Sequence, residues 1–303
     1  MKLCRFGDDR LGVVEGPFVR DVTAALDVLP AFRYPLPTHD VLIANLDKVL
    51  PRITALLAGA PSVPLSSVTL LSPVANPGKL VAAPVNYQKH LDEVKLDSQI
   101  HANNPAHTIT IQSAGLFLKA TSSVTGQDGG IAVCKPDRRT DHEVELAIVI
   151  GRQGRHIPRD EALGHVAGYC IGLDVTIRGS EDRSFRKSPD SYSVLGPWLV
   201  TADEIPDPGV LDLQLSVNGE LRQKSNTRYL ILGVAELIEL ASSFYTLYPG
   251  DVIFTGTPEG VSPILPGDEV SASVAQIGRM NVRVRAAESP DVAELSASAV
   301  TRS

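Results

Sequence analysis

Apolar and polar positions alternate over much of the second half of the chain. Leu211, Leu213, Leu215 and Val217 alternate with Asp212, Gln214 and Ser216, the period of a half-buried strand. Asn218-Gly219 follows and predicts a type I′ hairpin turn. Residues 143–150 alternate and stop at Gly151, and residues 166–176 are apolar and glycine-punctuated, so both predict strands. Pro-Gly-Asp turns at 249–251 and 266–268 each lead into a further strand. One helical face stands out among them: Val234, Leu237, Ile238, Leu240, Ala241, Phe244 and Tyr245.

The first part of the chain is less regular. Lys2–Phe6 and Arg10–Glu15 predict a hairpin across Gly7-Asp8-Asp9. Val41, Leu42, Ala44, Leu46, Val49 and Leu50 keep near-helical spacing, with Thr38 as the expected N-cap and Pro51 as an interruption. Residues 62–84 read as linker plus strand, and residues 86–94 as a short helix. Residues 97–114 have no period and predict an irregular, mobile loop. These patterns divide the chain into a small α+β unit over 1–70, a main domain over 71–285 and a polar, disordered tail over 286–303. Strands outnumber helices without alternating with them, which predicts a strand-rich α+β fold and argues against a doubly wound parallel sheet.

Composition narrows the function. Of 303 residues, 43% are hydrophobic and 21% charged, which excludes disorder as the main state. Twenty-eight basic against 35 acidic residues give a net charge of −7 with no basic run, so neither nucleic acid nor an anionic membrane is an expected partner. No apolar stretch approaches the roughly 18–20 residues of a bilayer span. Neither a G-x-G-x-x-G nor a P-loop pattern is present, so nucleotide binding has no support. Cys4, Cys134 and Cys170 are scattered and predict buried apolar fillers rather than a disulfide framework. The first residues lack a signal peptide's apolar core, and the expected compartment is the cytoplasm.

The strongest chemical signal is Asp141-His142-Glu143-Val144-Glu145. On a strand Glu143 and Glu145 share a face, where they form either a solvated edge or a cation site. Asp174 lies in an apolar strand beside Gly172, Cys170 and Gly168, small residues expected to leave space above the sheet. It is either bonded to nearby backbone or a third carboxylate for a cation. Oxygen ligands of this kind suit Mg²⁺, Mn²⁺ or Ca²⁺. His90 and Glu93, at i and i+3 on the predicted short helix, are either ordinary surface charges or a general-base pair. Lys187 in a polar loop and Thr257 at a strand end are either surface features or holders of a substrate's anionic oxygens.

These blocks in this order closely resemble the fumarylacetoacetate hydrolase family. The likeness runs from about residue 79 to 284 and is tightest at Asn86-Tyr87 with His90 and Glu93, at 141–151, at 166–178, and at 195–207 with 250–261. Phe117-Leu118-Lys119 also resembles the family's F-x-K strand. The resemblance implies a mixed β-sandwich roll, usually in a homodimer. It implies Mg²⁺ or Mn²⁺ held by Glu143, Glu145 and Asp174, and places His90 and Glu93 on a segment closing over substrate. By the same likeness Lys187 is an active-site lysine, and Tyr87, Arg178, Glu181 and Thr257 occupy substrate-binding positions. The implied substrate is a small 2-oxo or 1,3-dioxo acid. The implied reaction is metal-dependent hydrolysis of a C–C bond in an acylpyruvate-like acid of aromatic catabolism; decarboxylation, isomerisation or hydration of a 2-oxo acid is the alternative, and a non-catalytic binding protein a third. Two departures stand out. Glu181 replaces a common glutamine, which suggests that the substrate carries no extra anionic group. Segment 97–114 is longer than in many relatives and is expected to reshape the pocket.

Overall fold

The computed structural model of the chain describes residues 1–287. Two β-sheets dominate it. The larger has twelve strands, and its main run is ordered Ser62–Pro64, Phe18–Asp21, Arg10–Glu15, Lys2–Phe6, Ser193–Thr201, Val166–Asp174, Val144–Ile150, Val252–Phe254, Leu80–Ala82 and Phe117–Lys119. The smaller has five: Glu220–Asn226, Asp212–Val217, Glu269–Val274, Gly278–Ala286 and Ile131–Val133. Each sheet mixes antiparallel with parallel pairs. This is the strand-rich α+β class that the alternation predicts.

The centre of the large sheet is buried on both faces. Val144, Leu146, Ile148 and Ile150 enter a core shared with the five-stranded sheet and the helix Val234–Phe244. Ala147 and Val149 face a second core, which contains Ile43, Val49 and Ile53 of the N-terminal helices. Strands covered on both sides read as continuous apolar runs, as these do.

The N-terminal hairpin forms as expected, Lys2–Phe6 pairing with Arg10–Glu15. Lys2–Phe6 also pairs with Ser193–Thr201, so the large sheet continues from the first strands into the middle of the chain. The helix that follows differs from its sequence reading. Asp40, not Thr38, caps it: Oδ1 accepts from Ile43 N at 3.0 Å, and Oδ2 accepts from Ala75 N and Asn76 N. The break falls at Asn45, and the helix Leu46–Leu57 runs through Pro51. A proline inside a helix costs about 3 kcal/mol; here the fully buried Val49 and Ile53 on either side hold the helix against the core.

Segment 97–114 is not irregular throughout. It forms short helices at Ser98–His101 and Ile111–Ala114 with a 3-10 turn at Pro105–His107. Ile100, His107 and Ile111 anchor it in the interior. At the other end the last strand runs to Ala286, the start of the predicted tail, and residues 288–303 lie outside the described residues. Among the described residues no helix is long and apolar enough to cross a membrane.

Candidate metal centre and active-site cleft

Sheet register brings the three carboxylates together. Glu145 stands opposite Gly172, and the Glu143 carbonyl accepts from Asp174 N at 2.9 Å. With a side-chain period of two, all three carboxylates emerge on one side. An oxygen of each lies within 4.8 Å of the others, and all three residues are buried. The space beside Asp174 is not left open by its small neighbours. A methyl group added to Gly172 would lie 2.8 Å from the Phe254 ring, and Gly168 backs onto the Val200 carbonyl. These glycines admit close packing within the sheet rather than room above it.

Buried carboxylates cost several kcal/mol each unless matched by positive charge or hydrogen bonds. Lys187 Nζ donates to Glu143 Oε2 at 2.6 Å, Asp174 Oδ2 at 2.7 Å and Thr176 Oγ1 at 2.7 Å. Lys119 Nζ donates to Asp174 Oδ1 and to the Tyr192 carbonyl. Arg178 donates to Glu143 Oε1 and Asp141 Oδ2, both at 2.8 Å, while Arg139 grips Asp141 at 2.8 and 2.9 Å. Burial alone would raise the Glu143 carboxyl, but Lys187 and Arg178 outweigh it and hold it below the usual carboxylate range.

Glu145 is different. Its Oε2 accepts from Gly256 N at 2.6 Å, and among the described residues it forms no salt bridge. Burial, then the charge of Asp174, push its carboxyl well above the usual range. One of the three carboxylates therefore lacks a cation of its own. Hard oxygen donors at this spacing suit Mg²⁺, Mn²⁺ or Ca²⁺, and such an ion would favour the ionised form of Glu145 and balance its charge. The residues present fit the ion.

The backbone of Gly256 is set by its surroundings. Its φ is +94°, and an added Cβ would lie 2.7 Å from the Asn86 Cβ. Positive φ and close approach together require glycine here. Asn86 in turn donates to the Leu232 and Thr255 carbonyls and accepts from Leu232 N, all at 2.8 Å. That clasp fixes the root of the helix Gln88–Leu96. On this helix His90 Nδ1 meets Glu93 Oε2 at 2.8 Å, and Glu93 Oε1 accepts from Gly260 N at 2.9 Å. His90 is only 3% exposed, so the two are not a surface pair.

His90, Glu143, Arg178 and Lys187 line one cleft with Arg183 and Arg186. Its free volume is about 20 Å³, room for roughly one water. Ile100 and His107 close it from segment 97–114. Lys187 lies on the short helix Arg183–Lys187 rather than in a loop. The other sequence-derived positions do not line this cleft. Tyr87 is buried and borders a separate hollow with Lys89, Lys224 and Tyr229. Thr257 Oγ1 donates to the Val144 carbonyl and accepts from Gln223 Nε2. Glu181 turns both oxygens onto Arg138 at 2.8 Å. Sequence reasoning passed over Lys119, except as part of the F-x-K strand, and passed over Asp141, His107 and Arg186. Asp141 carried a signal, since it stands two residues before Glu143, in step with the paired glutamates. His107 and Arg186 carried none.

Three buried carboxylates gathered beside Lys119 and Lys187, with Glu143 and Lys187 lining the cleft, mark the class of divalent-metal enzymes. The family model described as fumarylacetoacetate (FAA) hydrolase C-terminal matches residues 79–285, and the chain belongs to the fumarylacetoacetate hydrolase family. It is 59% identical over 285 residues to maleylpyruvate hydrolase of Aquipseudomonas alcaligenes, covering 94% of this chain and 99% of that protein. Among solved structures it is similar to maleylpyruvate hydrolase from Sphingobium sp. SYK-6 in complex with manganese(II) ion and pyruvate. There the TM-score is 0.81 and the identity 39%, over 95% of this chain and all of that one. It is also 38% identical over 237 residues to oxaloacetate tautomerase FAHD2A, mitochondrial, of Homo sapiens, covering 74% of this chain and 72% of that protein.

Proposed function

We propose that the chain hydrolyses the C3–C4 bond of an acylpyruvate, with maleylpyruvate as the substrate and Mg²⁺ or Mn²⁺ held by Glu143, Glu145 and Asp174. The reading is carried by one observation: a carboxylate cluster one cation short reaches, through Glu143, a cleft also lined by the buried His90, whose Nδ1 meets Glu93. The 59% identity to a maleylpyruvate hydrolase supports the choice of substrate.

The reaction adds water across one bond. Its oxygen joins C4, giving maleic acid, and a proton joins C3, giving pyruvate. When bound, the divalent ion supplies Lewis-acid polarisation of the 2-oxo acid end. Glu93 accepts a hydrogen bond from the His90 Nδ1–H and fixes the tautomer, leaving Nε2 as the base. Nε2 takes a proton from the attacking water and returns one to C3. Arg178 and Lys187, bound to Glu143, keep that carboxylate ionised and oriented. Tyr87, Thr257 and Glu181 act through the scaffold, as their placement outside the cleft supports.

We assign the chemistry to residues 71–285, which contain every residue of the cleft. We also propose a cytoplasmic homodimer. Three free cysteines fit a reducing compartment, and light scattering after gel filtration tests the dimer.

The deciding experiment follows maleylpyruvate, acetylpyruvate and oxaloacetate by NMR, with Mn²⁺ or with EDTA. Metal-dependent appearance of pyruvate with maleate is the expected result. Consumption or tautomerisation of oxaloacetate alone would replace this reading with the one that the Homo sapiens relative suggests.

A further inference from the structure

The cleft contains positive charge that its own carboxylates do not match. Arg183, Arg186 and Lys187 lie at i, i+3 and i+4 of one short helix and all line the cleft. Lys187 is taken up by Glu143 and Asp174. Arg183 and Arg186 have no carboxylate partner among the described residues. Arg183 Nη2 donates to the Ala106 carbonyl at 2.8 Å. Arg186 donates from Nε to the Glu181 carbonyl at 2.8 Å and from Nη1 to the Ile177 carbonyl at 3.0 Å. It is 3% exposed, and a guanidinium that deep without a counterion is costly.

The neighbours leave it unneutralised. Arg186 Nη2 meets His107 Nε2 at 3.3 Å, while His107 Nδ1 lies 3.0 Å from the His101 carbonyl. An imidazole that donates from Nδ1 and accepts at Nε2 is neutral, so it orients Arg186 without adding or cancelling charge. Burial, then Arg186 and Arg183, lower the His107 pKa to about 4, which agrees. Asp182, the nearest acidic residue in sequence, is exposed and accepts from Ser184 N at 2.8 Å as the cap of the same helix, without a salt bridge to either arginine among the described residues; Glu181 precedes it. The Glu181 carboxylate is held by Arg138 outside the cleft, so the Glu181 substitution does not disfavour an anionic group inside.

We infer that Arg183 and Arg186, with His107 as a positioning residue, seat the far carboxylate of a dicarboxylic 2-oxo acid and select diacids over monoacids of the same length. This deepens the acylpyruvate hydrolase reading and rests on it for the direction of the substrate: the 2-oxo acid end lies at Glu143, Glu145 and Asp174. It also gives segment 97–114 a task, since that segment supplies His107 and the carbonyls that hold His107 and Arg183.

The test compares matched ligands. The Mn²⁺-loaded protein is titrated calorimetrically with 2-oxopimelate and 2-oxoheptanoate, which differ only in the terminal carboxylate and have no acyl bond to cleave. The wild type is expected to bind the diacid roughly 10- to 100-fold more tightly, the range of a charge-assisted hydrogen bond. Arg186→Met and Arg183→Met should each reduce that ratio about tenfold or more. They should reduce the ratio of kcat/KM for maleylpyruvate over acetylpyruvate to match. Equal affinity of the wild type for the two ligands overturns the inference, as does a selectivity ratio unmoved in folded, Mn²⁺-binding variants. If Arg186→Met does not fold, the half-buried Arg183 decides the matter alone. If the wild type cleaves no acylpyruvate, the hydrolase reading fails, and the titration still decides whether the cleft selects diacids.

Discussion

The two ends of the cleft are built from opposite charges and left incomplete in opposite ways. At the sheet end, Glu143 and Asp174 are matched by lysine and arginine, while Glu145 has one backbone N–H and no cation. At the helix end, Arg183 and Arg186 hold carbonyls and an imidazole but no carboxylate. A fold stabilised for its own sake would have joined these unmatched charges to each other. It keeps them apart, and such separation suits a ligand with a cation-bound head and an anionic tail.

Several measurements can break or sharpen this comparison. The largest effect is expected from Glu145→Gln. It should abolish Mn²⁺ binding in a titration and lower hydrolysis on the order of 10³-fold or more. Because burial favours the neutral acid at Glu145 while the unfolded chain ionises it, the amide removes a cost of folding near neutral pH and should also raise the Tm of the metal-free protein. A lower Tm would show that Glu145 is not the unmatched member. His90→Ala comes next, with a loss of about 10²- to 10³-fold in kcat and Mn²⁺ affinity retained. If metal affinity fell equally, His90 would belong to the ion's surroundings rather than to the proton transfer.

The helix end should respond to acid. The folded His107 pKa, about 4, lies below its ordinary value near 6.5. A depressed value means that its contribution to stability is fully present above pH 6.5 and is lost as the pH falls towards 4. His107→Asn should therefore flatten part of the Tm-against-pH curve in that window; identical curves would show His107 to be uncoupled from folding. The smallest effect is expected from Glu181→Gln. Its pair with Arg138 is half-exposed, so stability should fall by less than about 1 kcal/mol, with no change in diacid selectivity. A changed selectivity would bring Glu181 back into the cleft.

The carboxylate cluster was legible because it depends on one local rule. Glu145 and Asp174 sit in two paired strands, with Glu143 directly before the first of them; their period-two faces can be read directly, and antiparallel register does the rest. His90 and Glu93 were legible for the same reason on a helix. The helix end was not, because His107 and Arg186 are 79 positions apart and meet only through tertiary packing. Glu181 shows what sequence order leaves out. Its place in the sequence carries no sign of Arg138, from 43 residues earlier, which takes up both its oxygens. In the fold, the strands and the Asn218-Gly219 turn followed from alternation, with both turn residues at positive φ. The Asp40 cap did not, because Asp40 is selected by the two backbone N–H groups of residues 75 and 76 as well as by its own helix.

The attachment of segment 97–114 has a consequence for how such proteins diversify. Asn104 Nδ2 grips the Ser180 carbonyl at 3.1 Å, and Arg183 grips the Ala106 carbonyl at 2.8 Å. Carbonyls are the same whatever residue carries them, so these two anchors make little demand on the identity of residues 106 and 180. The strands beneath are fixed independently, by an apolar core on each face. A lineage can therefore rewrite this roof by substitution or insertion without a matching change in the strands that carry the carboxylate cluster. Substrate range can drift quickly while the shared chemistry stays in place.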